Sequence, residues 1–282
     1  MDEHGQLYTL LKFERSISLK PFIKWAGGKR WLTADPTFSL PDFTGRYIEP
    51  FLGGAAVFFH TAPREAILSD INPRLIEVYQ TVRDDWQKVL LELKRLQRLH
   101  CKNFYYEERS RKRTTPHTRT AQFLYLNRTC FNGLYRENLK GVFNVPIGTK
   151  AKVIFEDESF ADISSALSCA SIRTADFAET IAKASDGDLI FADPPYTTAH
   201  NMNGFVKYNQ NIFSWNDQLR LKDVLIEAVG RGAKVVLTNA DHESIRDLYE
   251  SHGRYRPIGR ASVMAGKSAH RTQTTEAVYV FG

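Results

Sequence analysis

Cysteine is scarce in this 282-residue chain. Cys101, Cys130 and Cys169 are odd in number, and no two of them stand in a C-x-x-C spacing. That removes a disulfide framework and a structural zinc site, so no metal is expected. No apolar run reaches the roughly 18 residues that a membrane-spanning helix needs. The opening Met1, Asp2, Glu3, His4 lacks the charged-then-apolar layout of a signal peptide, so a cytoplasmic protein with no membrane partner is expected. Internal repeats and low-complexity linkers are also missing. A hydrophobic fraction of 43% and a charged fraction of 25% exclude disorder, coiled coil and collagen. What is left is one large domain, or one domain carrying a sizeable insertion.

Charge is present in modest excess and unevenly placed. Thirty-eight Lys and Arg against 32 Asp and Glu give +6. Residues 94 to 119 hold nine cations (Lys94, Arg95, Arg98, Lys102, Arg109, Arg111, Lys112, Arg113, Arg119) against Glu107 and Glu108, a local +7. Residues 254 to 271 add Arg254, Arg256, Arg260, Lys267 and Arg271 with no acid, a local +5, which leaves −6 elsewhere. Two basic stretches on an acidic body are what a polyanion gripped at particular places requires. A solvated helix face gives the same count.

The pattern along the chain alternates strand and helix. Tyr47 to Leu52 lead into Gly53, Gly54 and an apolar helix from Ala55 to Phe59. A second strand, Ala66 to Ser69, ends at Asp70, and Asn72 and Pro73 open a helix through about Val82. Val89, Leu90, Leu93 and Leu96 keep helical spacing after Trp86, and Ala121 to Leu126 suit a further helix. Residues 127 to 150 break into Asn, Gly and aromatic residues, which predicts turns or a hairpin. Strands resume at Ser171 to Thr174, Leu189 to Ala192, Lys234 to Leu237 and Glu276 to Phe281, with a helix over Asp217 to Val229. The pattern predicts an α/β domain with a mostly parallel sheet, interrupted by a mainly helical, basic insertion.

Asp193, Pro194, Pro195 and Tyr196 directly follow an apolar strand, which places them at the carboxyl edge of the sheet where open α/β folds bind ligands. Two prolines remove two backbone donors and leave carbonyl oxygens and a carboxylate to accept hydrogen bonds from an amino group. Tyr196 adds a flat face for an aromatic ring. A phosphate-loop reading of Gly28 and Lys29 fails, because Ile23 and Arg30 stand where that loop needs Gly and Ser or Thr.

DPPY after one strand and FLGG (Phe51 to Gly54) after an earlier one resemble the Dam-like N6-adenine DNA methyltransferases, the D12 class in its α-group motif order. Lys24-Trp25-Ala26-Gly27-Gly28-Lys29, Asp70-Ile71-Asn72-Pro73, Asn132-Gly133-Leu134-Tyr135-Arg136 and Phe143-Asn144-Val145-Pro146 occur in the family's order, and the likeness runs from about residue 21 to the end, loosely after 261. The resemblance implies a Rossmann-like methyltransferase sheet formed by residues 1–74 and 166–282, with residues 75–165 inserted as the target recognition domain. It implies S-adenosylmethionine as methyl donor and double-stranded DNA as partner, bound by a monomer at the nucleoid.

Site residues follow from the same resemblance. Trp25 and Lys29 hold the methionine end of the cofactor, Lys29 through its charge. Phe51, Gly53 and Gly54 form a turn that approaches the cofactor closely, a side chain there colliding with it. Asp70 accepts from the ribose, with helix capping as the rival role, and Asp176 with Phe177 flank the adenine ring. Asp193 and the Pro194 carbonyl draw the target amine toward a pyramidal shape, with Pro195 completing the turn and Tyr196 stacking on a flipped adenine. No Pro-Cys pair of the kind that attacks cytosine C5 is present. Lys24, Asn132, Leu134, Arg136 and Pro146 contact DNA, Arg136 being the first candidate for reading guanine, while Arg109 to Arg113 attract phosphates without reading sequence. The favoured target is GATC; another adenine site, cytosine N4, or a silent DNA-binding regulator are the other readings.

Overall fold

The computed structural model describes residues 19–133, 135–138, 141–198, 213–261 and 273–282. Seven strands form one sheet: β1 (Tyr47–Glu49), β2 (Ala66–Asp70), β3 (Ala170–Thr174), β4 (Leu189–Ala192), β5 (Lys234–Ala240), β6 (Arg254–Ala261) and β7 (Gln273–Phe281). Their order is β3-β2-β1-β4-β5-β7-β6. The first five are parallel, and β7 runs antiparallel between β5 and β6. Chain order therefore reverses direction between β1 and β4, and the crevice at their carboxyl ends is where such sheets take ligands. FLGG follows β1 and DPPY follows β4, so the sheet itself brings the two motifs together.

β1, β2, β4 and β5 are buried almost throughout because both faces of the central sheet are covered. Alternation sorts their side chains: Leu189 and Phe191 of β4 enter one core, Ile190 and Ala192 the other. The described helices are α1 (Arg30–Thr33), α2 (Ala56–Thr61), α3 (Pro73–Leu99), α4 (Lys102–Ser110), α5 (Pro116–Thr129), α6 (Phe160–Leu167), α7 (Phe177–Ile181), α8 (Trp215–Gly230) and α9 (Glu243–Tyr249). The first core takes residues from α2, α3, α4, α5 and α6, and the second takes α7, α8 and α9.

The two helices expected at 73–82 and 86–96 are one element, α3, with a break at Asp85 (φ −145°, ψ 39°). Asn72 caps it, its side chain accepting from the amides of Arg74 and Leu75, and Pro73 occupies the first turn, where a missing N–H costs nothing. Ahead of the break the helix buries Leu75, Ile76, Tyr79 and Val82, and beyond it Val89, Leu93 and Leu96. The 99 residues between β2 and β3 thus share a hydrophobic core with the sheet. Buried Arg128 secures this union, reaching Glu158 at 2.6 Å, the Val153 carbonyl and the Phe22 carbonyl at 3.0 Å.

Residues 127 to 150 hold a short 3-10 turn, Phe131–Gly133, and two isolated bridges, Cys130 with Ile147 and Glu137 with Phe143. No regular hairpin appears in this segment among the described residues. Cys130 is buried, its thiol donating to the Asn127 carbonyl at 3.7 Å.

Candidate active site

The turn after β1 is built by Asp70 at the end of β2. The Gly53 amide donates to Asp70 Oδ2 at 3.1 Å, and the Asn72 amide donates to Oδ1 at 3.0 Å. Asp70 thus braces the glycine turn while Asn72 caps the helix. Burial pushes the Asp70 carboxyl above its ordinary range, and these backbone amides pull it back. Tyr79 locks the turn from below by donating to the Gly53 carbonyl at 2.9 Å.

Gly53 has φ +45°, and a Cβ there would lie 2.9 Å from Trp25 Cδ1. The space beside this glycine is filled by the Trp25 indole, so the protein itself, before any ligand, demands glycine. At Gly54 a Cβ would meet nothing nearer than 3.5 Å, so no neighbour in the chain requires that glycine. Gly53→Ala is expected to cost about 1–2 kcal/mol through left-handed strain and a displaced Trp25. A lower thermal midpoint checks it, and an unchanged midpoint contradicts it.

The second half of the site is a buried polar cluster at the end of β4. Lys29, only 3% exposed, places its Nζ 2.8 Å from Asp193 Oδ1 and 3.5 Å from Glu276 Oε2, and donates to the Gly27 carbonyl at 2.9 Å. Thr238 of β5 donates to the same Asp193 Oδ1 at 2.7 Å. Tyr196 donates its phenol proton to Glu276 Oε2, and the Lys29 ammonium stands 5.0 Å from the Tyr196 ring centroid. Burial pushes the Asp193 carboxyl up, and the Lys29 charge draws it down again. Glu49 of β1 lies beneath, accepting from the Tyr47 hydroxyl at 2.9 Å; burial and the neighbouring Asp193 hold it well above the usual carboxylate range.

Both hydrogen-bonding contacts on Asp193 fall on Oδ1. Oδ2 has no partner among the described residues, so the carboxylate is held by one oxygen. Lys29, assigned from sequence to a cofactor carboxylate, spends its ammonium on Asp193, Glu276 and the Gly27 carbonyl.

An aromatic wall adjoins the glycine turn. Phe51 stacks on Phe177 with centroids 5.4 Å apart, and Phe213 meets both at 5.7 Å. Asp176 caps α7 by accepting from the Ala178 amide at 2.9 Å and pairs with Arg220 at 2.8 Å. Arg220 also covers the Phe177 ring at 4.3 Å.

The DNA-assigned residues form a separate group tied to the site by Asn127. This amide, 1% exposed, accepts from the Lys24 amide at 3.0 Å and donates to the Lys24 carbonyl at 2.8 Å and the Gly133 carbonyl at 3.4 Å. The Lys24 ammonium donates to the Asn132 carbonyl, and Asn132 itself is left-handed at φ 56°. Trp25 stacks on Tyr135 at 5.7 Å, and Tyr135 on Phe123 at 4.4 Å. Arg136 is exposed, with Nε donating to Asn144 Oδ1 at 3.2 Å. The Pro146 carbonyl takes the Phe131 amide at 2.9 Å. Leu134 lies outside the described residues.

The basic stretches look different once folded. Arg95 pairs with Glu92 at 2.7 Å, Arg113 with Glu108 at 2.6 Å, and Arg119 with Glu77 at 2.9 Å. Arg109 donates to the Val145 carbonyl at 3.0 Å and supports the segment before Pro146. The local +7 ignored Glu77 and Glu92, which lie outside that window. Lys94, Arg98, Lys102 and Lys112 remain exposed. In the second stretch Arg256 donates to the Thr37 carbonyl at 2.8 Å, while Lys267 and Arg271 lie outside the described residues.

Residues 25–263 match the family described as D12 class N6 adenine-specific DNA methyltransferase. The chain belongs to that family. It is 34% identical over 274 residues to a type II methyltransferase of Lactococcus lactis subsp. cremoris, covering 94% of this chain and 96% of that one. It is 35% identical over 235 residues to the DNA adenine methylase of Vibrio cholerae, and 34% over 236 residues to that of Escherichia coli, each covering 82% of this chain and 84% of the relative. The seven-stranded α/β sheet is accordingly a Rossmann-like methyltransferase sheet, and the enzyme is a DNA adenine methyltransferase.

A methyltransferase of this family draws its methyl group from S-adenosylmethionine. The residues fit that group: Gly54, a glycine that no protein neighbour requires, the acid Asp70 at the strand end bonded to the adjoining Gly53, and Phe51 half-buried at the edge of an aromatic cluster. Among the described residues no cluster of side chains suits a metal ion, and no helix is long and apolar enough to cross a membrane. Sequence reading missed Glu276, Thr238, Glu49, Asn127 and Arg220. Only Glu276 left a trace, as an acid opening an otherwise apolar alternating strand.

Proposed function

We propose that the enzyme methylates the N6 amine of an adenine turned out of double-stranded DNA, at GATC, as a monomer acting on DNA in the cytoplasm. The observation that carries the chemistry is the Asp193 carboxylate, with Oδ1 held by Lys29 and Thr238 and Oδ2 without a protein partner among the described residues. An exocyclic amine is a weak nucleophile because its lone pair is delocalised into the ring. Asp193 Oδ2 and the Pro194 carbonyl accept its two hydrogens and favour a pyramidal nitrogen, so positioning and electrostatics supply the rate. Tyr196 offers its ring face to the base. An amine inside a duplex is out of reach of this crevice, which is why the base must leave the stack.

S-adenosylmethionine, when bound, supplies an electrophilic methyl group on sulfur. Phe51, Gly53, Gly54 and Asp70 hold its nucleoside, Asp176 and Phe177 its adenine ring, and Trp25 and Lys29 lie toward its methionine end. Asp at position 193, where cytosine-N4 enzymes more often carry Ser, favours adenine as target. The fixed carboxylate at Asp193 favours an active enzyme over a silent regulator.

Residues 75–165 act as the recognition part, with Lys24, Asn132, Leu134, Arg136 and Pro146 facing DNA. GATC rests on the resemblance of Asn132 to Arg136 and Phe143 to Pro146 to the family's recognition motifs. Exposed Arg136 is suited to a bidentate contact with a guanine edge. Arg136→Ala should lose about 1–3 kcal/mol of discrimination between GATC and sites altered at the guanine, while affinity for unrelated DNA stays the same. A uniform fall in affinity across all sequences would make Arg136 a phosphate contact instead. For the reaction itself, labelled cofactor and duplex DNA are incubated and the modified base identified. N6-methyladenine is expected; N4-methylcytosine or unlabelled DNA overturns the reading.

A further inference from the structure

The roles given to Asp193 and Tyr196 leave two buried carboxylates at the site, Glu49 and Glu276, without a part, and of these Glu276 contacts both Tyr196 and Lys29. Glu276 stands on β7, in register with Ala240 of β5 and Ile258 of β6, and is 4% exposed. Its Oε2 accepts the Tyr196 phenol proton and faces the Lys29 ammonium at 3.5 Å, while the same ammonium contacts Asp193 at 2.8 Å. An ionisable group in this position is costly unless it is paired and hydrogen-bonded, and here both conditions are met inside the catalytic cluster.

Two consequences follow from the geometry. A tyrosine anchored at its hydroxyl cannot turn its ring freely, so Glu276 sets the plane of the face that Tyr196 presents. Lys29 is held between two carboxylates that arrive from different strands, so its position over Asp193 Oδ1 is fixed from two sides. The Asp193 carboxylate is held through that oxygen. Glu276 does this from a strand that supplies neither DPPY nor FLGG.

We propose that Glu276 is a positioning residue for methyl transfer, orienting the Tyr196 ring and the Lys29–Asp193 pair without itself touching the target base. The inference rests on the roles proposed above for Asp193 and Tyr196.

Glu276→Gln keeps the size of the side chain and removes its charge; Tyr196→Phe keeps the ring and removes the anchored hydroxyl. Single-turnover methyl transfer is measured for each, for the double variant and for Asp193→Ala, together with the KM for duplex DNA and the thermal midpoint. Each single variant should slow transfer about tenfold, with KM for DNA within about twofold of wild type, as expected for a contact that matters in the transition state. The double variant should be no slower than the worse single one, because both cut the same connection.

A rate loss that multiplies in the double variant, wild-type rates in both single variants, or a loss that appears in KM alone would overturn the inference. If Glu276→Gln does not fold, Tyr196→Phe decides by itself: an unchanged rate rejects the inference. Wild-type transfer by Asp193→Ala would instead reject the reading of the site. An inactive Asp193→Ala beside fully active Glu276→Gln and Tyr196→Phe rejects the Glu276 inference alone.

Discussion

Asp193→Ala should reduce methyl transfer on the order of 10³-fold or more while leaving DNA binding close to wild type. The contacts of the side chain among the described residues are with Lys29 and Thr238, so on the proposed mechanism its loss removes an acceptor for the amine and no contact of the recognition segment. A gel-shift or anisotropy titration beside a transfer assay separates the two effects, and retained turnover would contradict the mechanism. The pH profile gives the same group a second signature. Burial raises the Asp193 carboxyl above its ordinary value, with Lys29 opposing the rise. The ionised form accepts the amine hydrogen, so transfer falls as pH drops through that raised value. The acid limb therefore lies above that of an ordinary aspartate; a limb in the usual aspartate range would mean that another group limits the rate.

Lys29→Met should have the second-largest effect, on both folding and rate. Removing one partner from a buried ion pair leaves its charge uncompensated, at about 3–5 kcal/mol. Here two carboxylates, Asp193 and Glu276, lose the same cation. Glu49 nearby is a further acid, so it supplies no charge to replace the lost cation. The thermal midpoint should drop by several degrees, transfer should fall on the order of 10²-fold, and the acid limb should move to higher pH because the group that lowered the Asp193 value is gone. Bound S-adenosylmethionine would recover part of the midpoint by mass action. A variant as stable as wild type, with an unmoved acid limb, would show that Lys29 does not hold Asp193.

The parts of this site that were legible in the sequence are those fixed by local chain grammar. Short apolar runs closed by Gly, Asp or Pro marked the ends of β1, β2 and β4, and the residues just past them, Gly53, Asp70 and Asp193, lie in the site because parallel strands end at one edge. Asn72 and Pro73 announced α3 for the same local reason. What stayed hidden depends on partners far along the chain. Thr238 and Glu276 reach Asp193 and Tyr196 only through the order β4-β5-β7. Asn127 meets Lys24 across 103 positions, and nothing near either residue signals the pair. Local charge counting misled for the same cause, since the acids that neutralise Arg95, Arg113 and Arg119 include Glu92 and Glu77 beyond the counted window. Asp176 was read by its place at a strand end, whereas folding gives its carboxylate a helix cap and Arg220 as partners.

The most direct measurement uses a duplex with one GATC site and S-adenosylmethionine labelled in its methyl group, the DNA then being digested and its nucleosides separated. Label should appear only as N6-methyladenine, be absent when the GATC adenines are already methylated at N6, and be lost with Asp193→Ala. Label on cytosine, label on the pre-methylated duplex, or full labelling by Asp193→Ala would contradict the account.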